Sequence, residues 1–363
     1  MTESQWVLVL TRPSGDPTLR VGGLPLCLRL SLDAQAAGAS AIVCAPEASA
    51  AQPALVDRRL RLPVLDSVPE GARRLSVPAT YLVHRALIRN VMRADGEAGR
   101  RARDLSTEPF AQSVPYGFEP IDVTGPSMRG AAERALFHSL RKPEDGWTSR
   151  YLNRRLSLPI SRLLAHTSLH PNQVSVVILG IGILGAVLAA RGELVLGAVC
   201  FQAQSVLDGC DGELSRVTHQ GSLAGEWLDT VGDDITNYGF FGGAGYGLYA
   251  ATGSPWYLAA GLVTVASGLI ASALEYRYLI KIGSGDLLKY PLSQATSKSA
   301  SSTGLSRLAP LFKRDTFVFL TLLAAIAGLL GAMLCLFAAA AVGMLFAVLR
   351  TELRLAREAA GAA

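Results

Sequence analysis

Asp208-Gly-Cys-Asp211-Gly212-Glu-Leu-Ser215-Arg216, followed after eight residues by Gly225-Glu-Trp-Leu-Asp229-Thr-Val-Gly-Asp233, sets four spaced aspartates inside an otherwise apolar stretch. A carboxylate in a membrane-embedded helix costs roughly 2.5–3.5 kcal/mol, so four together need a reason. Residues three and four apart share a helix face, so Asp208 pairs with Asp211 and Asp229 with Asp233. Two helices presenting such pairs to each other make a nest of hard oxygen ligands. Mg2+, Mn2+ or Ca2+ relieves the repulsion among such charges. Gly212 and Gly225 let a ligand approach the backbone. Arg216 offers a planar, permanently charged donor suited to phosphate.

Working outward, the composition agrees with a membrane half. The 363 residues are 50% hydrophobic and 17% charged, with mean hydropathy +0.31. A net charge of +5 and a pI near 9.0 suggest nucleic acid at first sight, but the distribution argues against it. Arg141, Lys142, Arg150, Arg154, Arg155 and Arg162 precede the first apolar span. Arg277, Lys281, Lys289, Lys298, Arg307, Lys313 and Arg314 fall in one later connection, and Arg350, Arg354 and Arg357 near the end. That is the positive-inside pattern. The five cysteines form no CxxC pair and read as buried thiols. His166 and His170 lie four apart with no third zinc ligand in view.

Six spans fit the apolar runs, near Val174–Ala190, Leu194–Glu213, Leu223–Ala250, Trp256–Tyr276, Thr316–Leu330 and Ala332–Leu349. An even count puts both ends of the chain and the aspartates on the cytoplasmic side of a cell membrane. Met1–Trp6 is polar, so no cleavable leader is expected. Residues 1–140 read as a soluble α/β domain: a strand at Val7–Thr11, a helix at Leu24–Ala37 ended by Gly38 and a strand at Ser40–Ala45. Short strands follow near Leu62–Leu65 and Thr80–Val83, with helices at Arg85–Arg93 and Arg129–Leu140 and a loop across 93–113. Residues 141–172 read as an amphipathic linker helix lying on the inner leaflet, and 173–355 as an all-α membrane domain. Gly239, Gly243 and Gly247 make a small-residue ridge in the third span, for packing in one bundle or between two copies.

The aspartate string resembles the signature of the CDP-alcohol phosphotransferase family, D-x2-D-G-x2-A-R-x8-G-x3-D-x3-D. Ser215 stands where that family usually has Ala, a small-for-small change. The resemblance implies that Asp208, Asp211, Asp229 and Asp233 ligate Mg2+ or Mn2+, as a pair of ions, with Asp233 also the general base. It implies that Gly212, Ser215, Arg216 and Gly225 line a CDP pocket, that Asn172 reaches the nucleotide, and that the protein is a homodimer. Such an enzyme moves a phospho-alcohol group from a CDP-alcohol to an acceptor hydroxyl and releases CMP.

Asp145-Gly146, Asn153-Arg154-Arg155 and Pro171-Asn172-Gln173-Val174-Ser175 extend the likeness. Together they resemble the membrane half of fused enzymes in which an inositol-phosphate cytidylyltransferase precedes a di-myo-inositol phosphate phosphate synthase. That points to CDP-inositol as donor and an inositol phosphate as acceptor, with Arg154, Arg155, Lys313 and Arg314 as its cationic contacts. A phospholipid synthase using CDP-diacylglycerol shares the motif. A non-enzymatic ion-binding membrane protein would not need Arg216 beside glycines.

Gly22-Gly-Leu-Pro-Leu-Cys-Leu-Arg29 and Ala36-Ala-Gly38-Ala-Ser-Ala-Ile-Val43 are similar to the first βαβ unit of nucleotidyltransferases, which implies a Rossmann-like N-terminal fold. The chemistry of that family does not follow. A triphosphate loop needs backbone N–H donors, yet Thr11-Arg-Pro-Ser-Gly-Asp-Pro17 holds two prolines, and His84 stands where the family has a metal-binding Asp. The domain is expected to be catalytically inactive.

Overall fold

The computed structural model describes residues 5–97, 101–105, 118–141, 145–294 and 313–361. The charged loop expected across 93–113 falls partly outside these residues, as do Lys142, Lys298 and Arg307. The chain forms two compact units. One comprises 1–142 together with 162–168 and 213–220; the other comprises 143–161, 169–212 and 221–363.

The first unit is built on a five-stranded parallel sheet. Its strands are β1 (Trp6–Thr11), β2 (Ala41–Cys44), β3 (Val64–Leu65), β4 (Arg73–Pro78) and β5 (Ala102–Asp104). In space they run β3-β2-β1-β4-β5, the order of a doubly wound sheet that reverses between β1 and β4. Strand β1 reads Trp-Val-Leu-Val-Leu-Thr and is almost continuously buried, as a central parallel strand covered on both faces must be. Helix α1 (Leu26–Ala37) links β1 to β2, α2 (Arg85–Glu97) follows β4, and α3 (Arg129–His138) follows later.

Three details depart from the reading of the sequence. Helix α1 starts at Leu26, because Leu24–Pro25 pairs antiparallel with Arg20–Val21. Strand β4 lies beside β1 along its whole length, yet its opening Arg73-Arg74 hides the apolar run. Tyr81–Leu82 is a strand, but it pairs with Ile121–Asp122 outside the main sheet.

The second unit is helical. Its long helices are α5 (Pro171–Ala190), α6 (Leu194–Thr218, which ends in the first unit), α7 (Leu223–Thr252), α8 (Pro255–Ile282), α9 (Arg314–Ile326) and α10 (Leu330–Gly361). Among the described residues, three stretches are long and apolar enough to cross a membrane: 171–190, 255–282 and 330–358, with mean hydropathies of 2.3, 1.8 and 2.5. Helices α6 and α7 carry the motif acids, and α9 has only 13 residues. The unit turns apolar side chains outward, among them Val176, Val177, Leu184, Leu262, Leu269 and Phe346, and polar ones inward, including Gln204, Thr230, Thr236 and Ser272. Water would penalise that arrangement and lipid would not.

The glycine ridge of α7 is used inside the chain. A Cβ at Gly243 would sit 2.4 Å from the Ala186 carbonyl oxygen, and one at Gly247 would sit 2.1 Å from that of Ala189, both on α5. Close backbone approach, not a second copy, accounts for these residues, and the ridge no longer argues for a dimer.

Helix α4 (Arg154–Leu164) and the turn before it invert the soluble pattern. Trp147 is 67% and Leu163 72% exposed, while Asn153, Arg154, Ser157 and Ser161 are buried. A face of this kind suits the headgroup boundary.

Candidate functional site

Helices α6 and α7 bring Asp208 and Asp233 to one guanidinium. Arg314, at the first position of α9, places Nη1 2.9 Å from Asp233 Oδ1 and 3.3 Å from Asp208 Oδ2. Its remaining nitrogens donate to Gln204 Oε1 at 2.9 Å and Asn237 Oδ1 at 3.2 Å. Gln204 lies one helical turn before Asp208 and also donates to Asp233 Oδ1 at 3.3 Å. Asp229, one turn from Asp233 on α7, stands close enough to act on it electrostatically. Two carboxylates therefore meet a single fixed cation, which leaves a negative balance suited to a hard divalent ion.

The fourth aspartate is held differently. Asp211 is buried; it accepts from Ser175 Oγ at 2.5 Å and from the Gly212 N–H at 2.6 Å. Among the described residues no three acidic, His or Cys side chains stand at ligand-sharing distance. The oxygen donors have the chemistry that a divalent ion prefers, with Arg314 drawn between two of them. The neighbouring Asp234 is not part of this group. It accepts from Ser272 and Tyr276 on α8.

Gly225 sits in the first turn of α7, where Ser222 caps the helix by accepting from the Gly225 N–H at 3.0 Å. A Cβ there would meet Asn172 Oδ1 at 2.9 Å, so the first turn of α5 and the motif glycine are side by side. His170, four residues from His166, closes a capping box on α5 with Gln173; its ring accepts the Asn172 N–H at 3.2 Å. That is a helix-starting role. His166 instead meets Glu133 at 3.1 Å within the first unit. Ser215 and Arg216 are half-buried on the last turns of α6, which belong to the first unit.

A cavity of about 230 Å³ opens onto Asp208 and Asp233, lined also by Arg154, Lys313 and Arg314. Arg154 is buried and paired with Asp145 at 3.0 Å. Asp315 accepts the Ser149 N–H at 2.5 Å, and a Cβ on Gly146 would meet its carboxylate at 2.9 Å. The Asp145-Gly146 pair thus shapes the cavity wall. Arg155 is exposed and is not among the residues lining this cavity; it lies one residue from the buried Arg154 on a helix, about 100° round the axis.

Reading the sequence missed Gln204, Asn237, Ser175 and Asp315. Gln204 was findable, being four residues before Asp208 on the same helix face. Asn237 was findable in the same way, four residues after Asp233 on α7; Ser175 and Asp315 come from other helices and leave no local trace.

A sequence model of the CDP-alcohol phosphatidyltransferase family matches residues 168–353, just over half of the chain. The membrane half is also similar to a "Bifunctional IPC transferase and DIPP synthase" of Thermococcus kodakarensis, 35% identical over 42% of this chain and 35% of that protein. A protein of the same description from Rubrobacter xylanophilus is 37% identical over 39% of this chain and 34% of its own length. The matched region thus spans about a third of these curated relatives. Among solved structures, the phosphatidylinositol phosphate synthase of Mycobacterium tuberculosis with CDP-DAG bound is similar at 20% identity. Its TM-score is 0.41, over 54% of this chain and 93% of that one.

Proposed function

We propose that this chain, which belongs to the CDP-alcohol phosphatidyltransferase family, moves an inositol-phosphate group from CDP-inositol to a phosphorylated inositol and releases CMP. The observation that carries the reading is the meeting of Asp208 and Asp233 at the mouth of a cavity lined by cationic side chains. A hydroxyl acceptor bearing phosphate suits such walls. The names of the curated relatives favour the inositol substrates over CDP-diacylglycerol.

The step balances as follows. The acceptor hydroxyl oxygen attacks the phosphorus that carries the donor alcohol, and the bond from that phosphorus to the oxygen bridging it to CMP breaks. CMP leaves with the bridging oxygen, and the acceptor proton passes to Asp233. Asp233 is fixed for this by Arg314 and Gln204. Asn172, beside Gly225, reaches toward the nucleotide with Gly212, Ser215 and Arg216. Lys313, Arg314 and Arg154 face the acceptor.

Asp208, Asp229 and Asp233, with Asp211 behind them, would hold Mg2+ or Mn2+. Such an ion, when bound, neutralises the pyrophosphate and makes its phosphorus more electrophilic. The helical unit is read as six spans, with the site and both chain ends on the cytoplasmic face and α4 on the inner leaflet. The doubly wound first unit is read as an inactive nucleotidyltransferase relative.

The test is CMP release by the full chain in detergent. CDP-inositol and CDP-diacylglycerol are offered against inositol phosphate, glycerol phosphate and serine, with and without chelator. Turnover is expected with CDP-inositol and inositol phosphate and to stop with chelator. Turnover confined to CDP-diacylglycerol would replace the donor, and turnover with no CDP-alcohol would end the reading.

A further inference from the structure

The motif helix ends inside the first unit, since residues 213–220 belong to it, and what receives that end is unusual. Arg29 on α1 is only 2% exposed. Its Nη1 donates to the Val217 carbonyl at 2.7 Å, and Nη2 donates to those of Val21 and Gly22 at 2.8 and 3.0 Å. Burial pulls the guanidinium down from its ordinary value to about 10, and it stays charged at neutral pH. Arg59 donates from Nη1 to the Thr218 carbonyl at 2.8 Å. Two bonds of 2.7 Å to Asp57 hold it in place for this.

Val217 and Thr218 are the last two residues of α6. The final carbonyls of a helix have no partner within it and carry the negative end of its dipole. Two buried or half-buried arginines are a strong answer to both needs. His219 follows with φ +52, a conformation a bulky residue seldom takes. Its ring stands 3.5 Å from Asp33, one turn along α1 from Arg29. Gly22 completes the seat, because a Cβ there would come within 2.9 Å of the Val217 side chain. The Gly22–Arg29 stretch, which resembles a nucleotide-transferring motif, here grips the end of another helix.

We propose that Arg29 is a positioning residue, which clamps the last turn of α6 and fixes the stretch carrying Ser215 and Arg216. This rests on the transfer reaction above. Arg216 immediately precedes the residue whose carbonyl Arg29 holds. Without that hold the last turn frays and Arg216 loses its aim at the CDP moiety, so the loss falls on donor binding and spares acceptor binding.

The experiment uses the full chain in detergent, with Arg29→Gln, Arg29→Lys and Arg59→Gln. Steady-state CMP release gives separate donor and acceptor KM values, and amide exchange is followed at 213–220. For Arg29→Gln the donor KM is expected to rise about tenfold with kcat and acceptor KM within about twofold. Exchange at 213–220 should quicken while α7 and α8 are unchanged. Lys, which reaches one carbonyl as a point charge, should fall between. A folded Arg29→Gln with wild-type donor KM overturns the proposal, and so does a fall in kcat with both KM values unchanged. If Arg29→Gln does not fold, the half-buried Arg59→Gln decides by the same criteria. If the wild-type chain turns over no donor, the transfer reading fails by itself, and exchange at 213–220 still decides whether the clamp exists.

Discussion

Around Asp208 and Asp233, two carboxylates share one arginine beside a cavity. At the end of β1 the corresponding polar groups serve their own loop. There the Ser14 N–H donates to Thr80 Oγ1, Asp16 accepts from the Thr18 N–H and hydroxyl, and Thr80 donates to Asp122. His84, in the place expected for a metal-binding acid, accepts the Ala86 N–H at 3.2 Å and starts α2. Both stretches resemble, in sequence alone, motifs of families that handle nucleotides. One keeps charge in excess of what its fold needs, and the other has spent its polar groups on local structure. Excess charge near a cavity marks chemistry; a satisfied loop marks architecture.

The comparison breaks most visibly at Asp233. Asp233→Asn keeps an oxygen for Arg314 and Gln204, so the fold should hold while CMP release falls about 10³-fold. Normal turnover would remove Asp233 as the base.

The next test concerns charge that the first unit buries for structure. Burial pushes the Asp33 carboxyl up to about 7, with Arg29 and Arg85 opposing. A raised folded-state value means that the contribution to stability is full below the unfolded value near 4 and is lost as pH rises through 7. The loss is on the order of 4 kcal/mol. Amide exchange across α1 in the full chain, corrected for its intrinsic pH dependence, should therefore speed up from pH 5 to 8. Asp33→Asn should flatten that slope.

Packing gives a smaller effect. Gly247→Val forces a side chain onto the Ala189 carbonyl and should cost about 1–3 kcal/mol, read as a lowered Tm in detergent. An unchanged Tm would return the ridge to an exposed role. The smallest expected effect is none: His84→Asp restores the missing acid, and Asp caps helices well. CMP transfer from CTP to sugar phosphates should nonetheless stay at background, because Pro13 and Pro17 still lack donors. Measurable transfer would make the two regions alike.

Much of this molecule was legible before any coordinates. Spacing alone put the aspartates on helices, because three- and four-residue intervals choose a face whatever lies opposite. The apolar runs located the helices of the second unit, and the apolar run from Val7 marked a buried strand. Strand β4 escaped because Arg73-Arg74 masks a run whose support comes from its neighbours β1 and β5. The assignment of Arg314 to Asp208 and Asp233, of Ser175 to Asp211 and of Arg29 to Val217 was left to the tertiary structure. These pairs join residues 36 to 188 positions apart. Local chain stiffness sets helix faces and periodicity, but the choice among many equally charged partners is made only when packing brings one of them within hydrogen-bond reach.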